Sequence, residues 1–245
     1  MQAYKQTTPY TGSASSLMMV INHFNPSFLL TKENEFRIWQ KTVALPTKDS
    51  SLFGIALFAL NNGLKLTITG EDLSYSFPDY RFKGYKLEEV EEAKFSDELF
   101  QKEAEKVRIL TKIQKITLCV IKKYLEDGKI LLLEMNAGII RNSRSYDTIL
   151  PVYKYGDGKF VAIDPFDGQK KFIHEEQMQE SLNTLRTKCK RAPKMIVLEK
   201  MTILKELKEK VFVKKEEILK GHEQIKTHIP KESIKKSKKL HKILK

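Results

Sequence analysis

Near residue 128 the hydrophobic period of this chain changes, and that change limits the folds open to it. Before it, apolar residues recur at helical spacing in "SASSLMMVINHF", "TKENEFRIWQKTV" and "KDSSLFGIALFALNNG". After it come short apolar blocks bounded by turn residues, "KILLLEM", "TILPVYKY" and "KFVAIDP", with "GDG" at 156–158 set for a tight hairpin turn. Helices first and strands second is an α+β order, which predicts N-terminal helices packed on an antiparallel sheet. "LKLTIT" adds an early strand and "KMIVLEK" a closing one, with the helix "HEEQMQESLNTLRTK" before it. The whole stretch 96–128 reads as helical.

The local signals are specific. One of the serines in "SASSLMM" is expected to cap the first helix, with Leu17, Val20 and Ile21 on one face. Thr31 starts the second, with Glu33 and Glu35 in the first turn, where the helix dipole favours acids. The third helix is apolar nearly all round, so it is buried, and Gly63 ends it. Trp39 is expected in the core.

Charge divides the chain. The net charge is +13, yet residues 201–245 hold 14 lysines and 6 glutamates, a net of +8. This predicts a mildly basic folded domain over 1–200, a helical extension over 201–230 and a Lys-rich tail over 231–245. Two cysteines are too few for a disulfide framework. Cys119 sits at an apolar helical position and is expected to be a buried, inert thiol; the cations flanking Cys189 work to lower its pKa, but no reactive role is expected of it. The first residues do not have the form of a signal segment, and no apolar run reaches the roughly 18 residues of a membrane span. A cytoplasmic protein without a transmembrane segment is the expectation. Neither CxxC nor HExxH spacing occurs, nor a phosphate-cradling glycine loop, so no metal or cofactor is expected.

The segment "QTTPYTGSASSLMM" then carries a more detailed message. With "NEFRIWQ", "SLFGIALFALNNGLKLTI", "YDTILPVYKYGDGKFVAIDP" and "KMIVLEK" following in order, the chain resembles the peptidase C39-like family over roughly 190 residues. These are relatives of the papain-like cysteine peptidases that cut double-glycine leaders. The resemblance implies a papain-like fold in which a glutamine precedes the nucleophilic cysteine by six residues. It also implies a histidine on a strand and a carboxylate from a following "DP". Carried onto this sequence, those four positions are Gln6, Gly12, Thr148 and Asp164. The glutamine and the carboxylate are present; the cysteine and the histidine are not.

A thiolate at a helix N-terminus, an imidazole base, an orienting carboxylate and a donor in the oxyanion hole are the parts such chemistry needs. Gly12 has nothing to attack with, and Thr148 is no base near neutral pH. Ser13 is the one substitute nucleophile near the same helix terminus. Asp147 adjoins Thr148, but strand alternation is expected to point it away. His23, His174, His222, His228 and His241 match no position of the family's base. Gln6 also has a structural reading, tying the first segment to the helix, and "DPFDG" is turn chemistry in its own right.

The expected function is therefore a catalytically inactive, cysteine-peptidase-like protein that binds a peptide or protein segment in the former cleft, with Tyr10, Tyr153 and Tyr155 as candidate walls. Two alternatives stand beside it. Lys235, Lys236, Lys238 and Lys239 suit an anionic partner such as nucleic acid or a ribosome, through salt-sensitive phosphate neutralisation. Residual hydrolysis through Ser13 is the other.

Overall fold

The structure, a computed structural model, describes residues 1–201. The helical extension expected beyond Met201, the Lys-rich tail with Lys235, Lys236, Lys238 and Lys239, and His222, His228 and His241 lie outside the described residues.

Three helices come first: α1 (Gly12–Phe24), α2 (Lys32–Thr42) and α3 (Leu52–Asn61). Strand β1 (Leu64–Gly70), helix α4 (Leu87–Lys106), strand β2 (Leu110–Ile113) and helix α5 (Leu118–Glu126) follow. The second half runs β3 (Ile130–Asn136), the short α6 (Ala137–Arg141), β4 (Asp147–Gly156), β5 (Lys159–Asp164), β6 (Gln169–His174), α7 (Glu175–Thr187) and β7 (Lys194–Lys200). The seven strands form one sheet in the order β2-β1-β7-β3-β4-β5-β6. Nine helical or strand segments read from the sequence fall where expected, but the sheet is not wholly antiparallel. Strand β2 pairs with β1 in parallel, Thr67 opposite Leu110 and Gly70 opposite Ile113. The helical reading of 96–128 missed β2 because all four of its residues are exposed and give no alternating pattern. Strand β6 was missed for a similar reason: only Ile173 of "QKKFIH" is buried.

Helices cover both faces of the sheet. On one, Leu17, Ile38, Phe53 and Ala104 from α1 to α4 meet Leu132, Ile196 and Leu198. On the other, Ile121, Met178 and Leu182 from α5 and α7 meet Leu131, Leu133 and Phe160. A strand buried on both faces reads as a continuous apolar run, which is why "KILLLEM" does not alternate. Burying each such leucine or isoleucine contributes about 2 kcal/mol before conformational entropy is subtracted.

Helix α1 starts at Gly12, earlier than a serine cap would allow. The preceding Thr11 does not cap it, because its hydroxyl donates to Glu35 instead. Thr31 does cap α2, accepting from the Asn34 N–H at 3.3 Å. Glu35 lies in the first turn of α2, as expected, and does more there than meet the helix dipole. It is wholly buried and accepts from Tyr4 Oη (2.9 Å), Thr7 N (2.9 Å), Thr7 Oγ1 (2.8 Å) and Ser15 Oγ (3.1 Å), besides Thr11. One carboxylate thus ties the N-terminal segment to both α1 and α2.

Cys119 is exposed rather than buried. The buried stripe of α5 is Ile121 and Leu125, and Cys119 falls on the opposite side of that helix. No helix among the described residues is long and apolar enough to cross a membrane.

Truncating Glu35 leaves several buried donors without an acceptor, so Glu35→Ala should destabilise the domain by about 3 kcal/mol. Urea unfolding of the variant checks this; a midpoint unchanged from the parent would mean the carboxylate does not hold the N-terminal segment.

Candidate functional site

A cavity of about 640 Å³ opens at the N-terminus of α1. It is bordered by Gln6 and Pro9 before the helix, by Asp49, Ser50 and Leu52 at the start of α3, and by the first residues of β4. The segments 73–83 and 140–148 supply further walls, including Tyr75, Tyr146 and Arg141.

Three of the four positions singled out in the sequence meet at one point. A Cβ built on Gly12 would lie 2.9 Å from Gln6 Oε1 and 3.6 Å from Thr148 Oγ1. Gln6 is held in that orientation from two sides. Its backbone N–H donates to Pro165 O at 2.7 Å, and its side-chain amide N–H donates to Thr8 O at 2.8 Å. One amide N–H is thus engaged locally, and the side-chain oxygen faces the space above Gly12. An oxyanion hole needs the reverse, a donor.

The fourth position, Asp164, is nearby in the chain's fold but otherwise engaged. It is fully buried at the end of β5, and Arg141 on α6 clamps it with two parallel bonds, Nε to Oδ2 and Nη2 to Oδ1, both 2.7 Å. Bidentate guanidinium–carboxylate pairs are among the strongest in proteins. Phe166 lies under the same guanidinium, its ring centre 4.7 Å away, and the Phe166 N–H donates to Asp164. The Arg141 clamp has no sequence signature: 23 residues separate the partners, and only the turn through α6 brings them together.

The substitutes fare unevenly. Ser13 is half-buried and borders the cavity. Neither described histidine does. His23 is exposed at the end of α1 beside Phe24, and His174 precedes α7 at the far end of β6. Tyr10 borders the cavity and packs against Trp39, ring centres 4.9 Å apart. Trp39 itself is half-buried against the core, with its indole N–H on Lys48 O. Tyr153 and Tyr155 do not border the cavity. Tyr153 packs on the helical side of the core, and Tyr155 bonds Glu175 beside Lys122. Strand position alone could not separate them from Tyr146, which does border it, three residues before Ile149.

Asp147 does not point away as alternation suggests. It stands at the first residue of β4, where the strand ends against the cavity, and both it and Thr148 border the space. There it joins a charge cluster that no spacing in the sequence reveals. Arg191, nearly buried, has Asp79 Oδ1 at 3.3 Å, Asp147 Oδ2 at 3.4 Å, Asp49 Oδ2 at 3.7 Å and Glu134 Oε1 at 3.9 Å. Lys83 approaches Asp79 and Asp147 at 3.5 and 3.6 Å.

These environments split the carboxylates. Burial alone would raise Asp147, but Arg191 and Lys83 outweigh it and hold it below the usual range. Burial wins at Asp49 despite Lys83 and Arg191, and at Glu134 despite Arg191 and Lys194, and both are raised. Burial would also lower the Arg191 pKa, but its acidic neighbours more than reverse that and keep the guanidinium charged. Cys189, behind this cluster, is pushed up to about 11 by burial and by the neighbouring carboxylates. The cations flanking it in sequence do not make it reactive.

Among the described residues, no group of three or more histidine, cysteine, aspartate or glutamate side chains is placed to hold a metal ion.

A model of the family described as Peptidase_C39 like matches residues 1–193, and the chain belongs to that family. No curated protein matches the chain.

Removing one partner of the Arg141–Asp164 pair strands a buried charge. Arg141→Ala should therefore cost about 3 kcal/mol in urea unfolding, and the double variant Arg141→Ala with Asp164→Ala should recover part of that loss. A double variant no better than the single one would show that the two residues do not act as a pair.

Proposed function

We propose that this peptidase C39-like chain has the papain-like arrangement of helix and sheet without its chemistry, and that its cleft holds a peptide or protein segment without cutting it. The observation that carries the reading is the orientation of Gln6. Its acceptor oxygen, not its amide N–H, faces the space above Gly12. A tetrahedral intermediate there would meet a lone pair where it needs a proton donor.

The other parts agree. Gly12 and Thr148 stand together where a nucleophile and its base would be, and neither has the functional group. In hydrolases of this logic, loss of either member costs on the order of a million-fold in kcat. Asp164, which would orient an imidazole, is taken by Arg141. Four coordinated departures leave a cavity with a glycine at its floor, tyrosine walls and a helix terminus at one end. That combination suits an extended chain, whose backbone needs room and whose side chains need pockets.

The test is a random dodecapeptide display against the full chain, with Ser13→Trp as a variant that fills the cleft beside Gly12. Peptides recovered on the parent should bind it at micromolar affinity, should lose at least tenfold in affinity to Ser13→Trp, and should remain intact by mass spectrometry after overnight incubation. Cleaved peptides would make the protein an enzyme, and binding indifferent to Ser13→Trp would place the partner elsewhere.

A further inference from the structure

Strand β6 is an edge of the sheet, with β5 on one side and no strand on the other among the described residues. In an antiparallel pair, alternate residues turn their N–H and C=O groups away from the partner, so an edge strand presents a row of them. Both ends of this row are closed locally. The Gln169 N–H donates to Asp167 Oδ1 at 2.9 Å, and the His174 N–H donates to Gln177 Oε1 at 3.2 Å. Between them, the backbone groups of residues 170–173 that face away from β5 meet no partner among the described residues.

The side chains along this edge have a definite chemistry. Ile173 packs into the core with α5 and α7, so alternation sends Lys170, Phe172 and His174 to the opposite side of the sheet. The register sets them opposite Ile163, Val161 and Lys159 of β5, and Val161 lies opposite Lys154 of β4. On that side α1 packs against Ile149 and Tyr153 of β4, while Phe172 is left 61% exposed. Lys5 adds a further ammonium beside the β5–β6 turn, its Cβ lying 3.1 Å from where a Cβ on Gly168 would stand. Among the described residues, none of Lys5, Lys154, Lys159 and Lys170 is in an ion pair. The acids at either end, Asp167 and Glu175, are held by Lys171 and Lys122. Asp157, in the β4–β5 turn, and Glu176, on α7, are the exposed acids that remain. The edge is therefore positive, with an aromatic ring at its centre.

We infer that β6 is a docking edge for an extended acidic segment of a partner protein, which adds to the sheet as a further strand. The segment's backbone takes up the free groups of residues 170–173. An apolar side chain of the segment packs on Phe172 and Val161, and acids two residues to either side of it meet Lys170 on one hand and Lys159 and His174 on the other. Charge selects the occupant. A second copy of this edge would set lysine against lysine, which is how lysines guard edges from self-association, whereas an acidic strand is complementary. Lys170, Phe172 and His174 do not border the cavity, and this inference does not rest on the cleft reading above.

The probe is acetyl-Ser-Glu-Thr-Val-Thr-Glu-Ser-amide, titrated at low ionic strength into the nitrogen-15-labelled full chain with each amide signal followed by NMR. Beside it run a version with both glutamates replaced by lysine and a version N-methylated at its three central residues. The residue-by-residue readout separates β6 from the lysines beyond residue 230. The acidic peptide should shift the amides of Gln169–His174 and slow hydrogen exchange over residues 170–173. The lysine version should not bind, and the N-methylated one should bind at least tenfold more weakly. Lys170→Glu should weaken the acidic peptide at least fivefold and admit the lysine version; the side chain is exposed, so the variant keeps the fold. An N-methylated peptide that binds as well as its parent would reduce the edge to a patch of charge and overturn strand addition. Shifts confined to the residues around Gly12 would move the peptide to the cleft and overturn the edge site. No shift at any amide would overturn the edge site and leave the cleft reading untouched. An oligothymidylate that shifts the same amides more strongly than the acidic peptide would assign the surface to nucleic acid and overturn the protein partner.

Discussion

The buried carboxylate of Glu35 holds this structure's functional end together. It collects hydrogen bonds from Tyr4, Thr7, Thr11 and Ser15, and so fixes the chain's first segment against the start of α1 and the first turn of α2. That segment contains Gln6. With its backbone bound to Pro165 and its amide to Thr8, Gln6 has a single orientation over Gly12. The geometry of the cleft follows from this: where Gly12 sits, what faces it, and how close β4 comes. A carboxylate in this role needs no partner cation, because five donors from backbone and hydroxyls share its charge.

On the reading proposed above, the changes at Gly12 and Thr148 and the positions of Gln6 and Asp164 are coupled rather than scattered. A cysteine side chain at Gly12 would press against Gln6 Oε1 at 2.9 Å. An imidazole at Thr148 would find Asp164 already held by Arg141. Restoring one group does not restore its supports.

The parts of this account that the sequence shows are those that depend on near neighbours. The unbroken apolar run of β3, the Thr31 cap and the "GDG" turn are each local, and they place the core and the layers. The four site positions, Gln6, Gly12, Thr148 and Asp164, came instead from the resemblance to the family, carried over segment by segment. What was hidden is long-range. Residues 49, 79, 134, 147 and 191 share no spacing, and only the fold gathers the four acids around Arg191. Arg141 lies on a helix of five residues that no periodicity announces. Strand β2 was hidden differently: its pairing with β1 is made by backbone, and its exposed side chains do not report it. Tyr153 and Tyr155 lie beyond the part of β4 that borders the cavity, near a register shift between Val152 and Lys154 that no sequence pattern marks.

The central claim is that the position occupied by Gly12 has lost its chemistry and not merely its side chain. The most direct measurement is the pH dependence of alkylation of a cysteine placed there, Gly12→Cys, by iodoacetamide in a background lacking Cys119 and Cys189. With an acceptor oxygen facing it, no imidazole among the described residues beside it and Asp164 engaged by Arg141, that thiol should behave as an ordinary one, its rate rising only through about pH 8. A rate already at its plateau below about pH 6 would mean that a charged base stabilises the thiolate at this point, and would contradict the account.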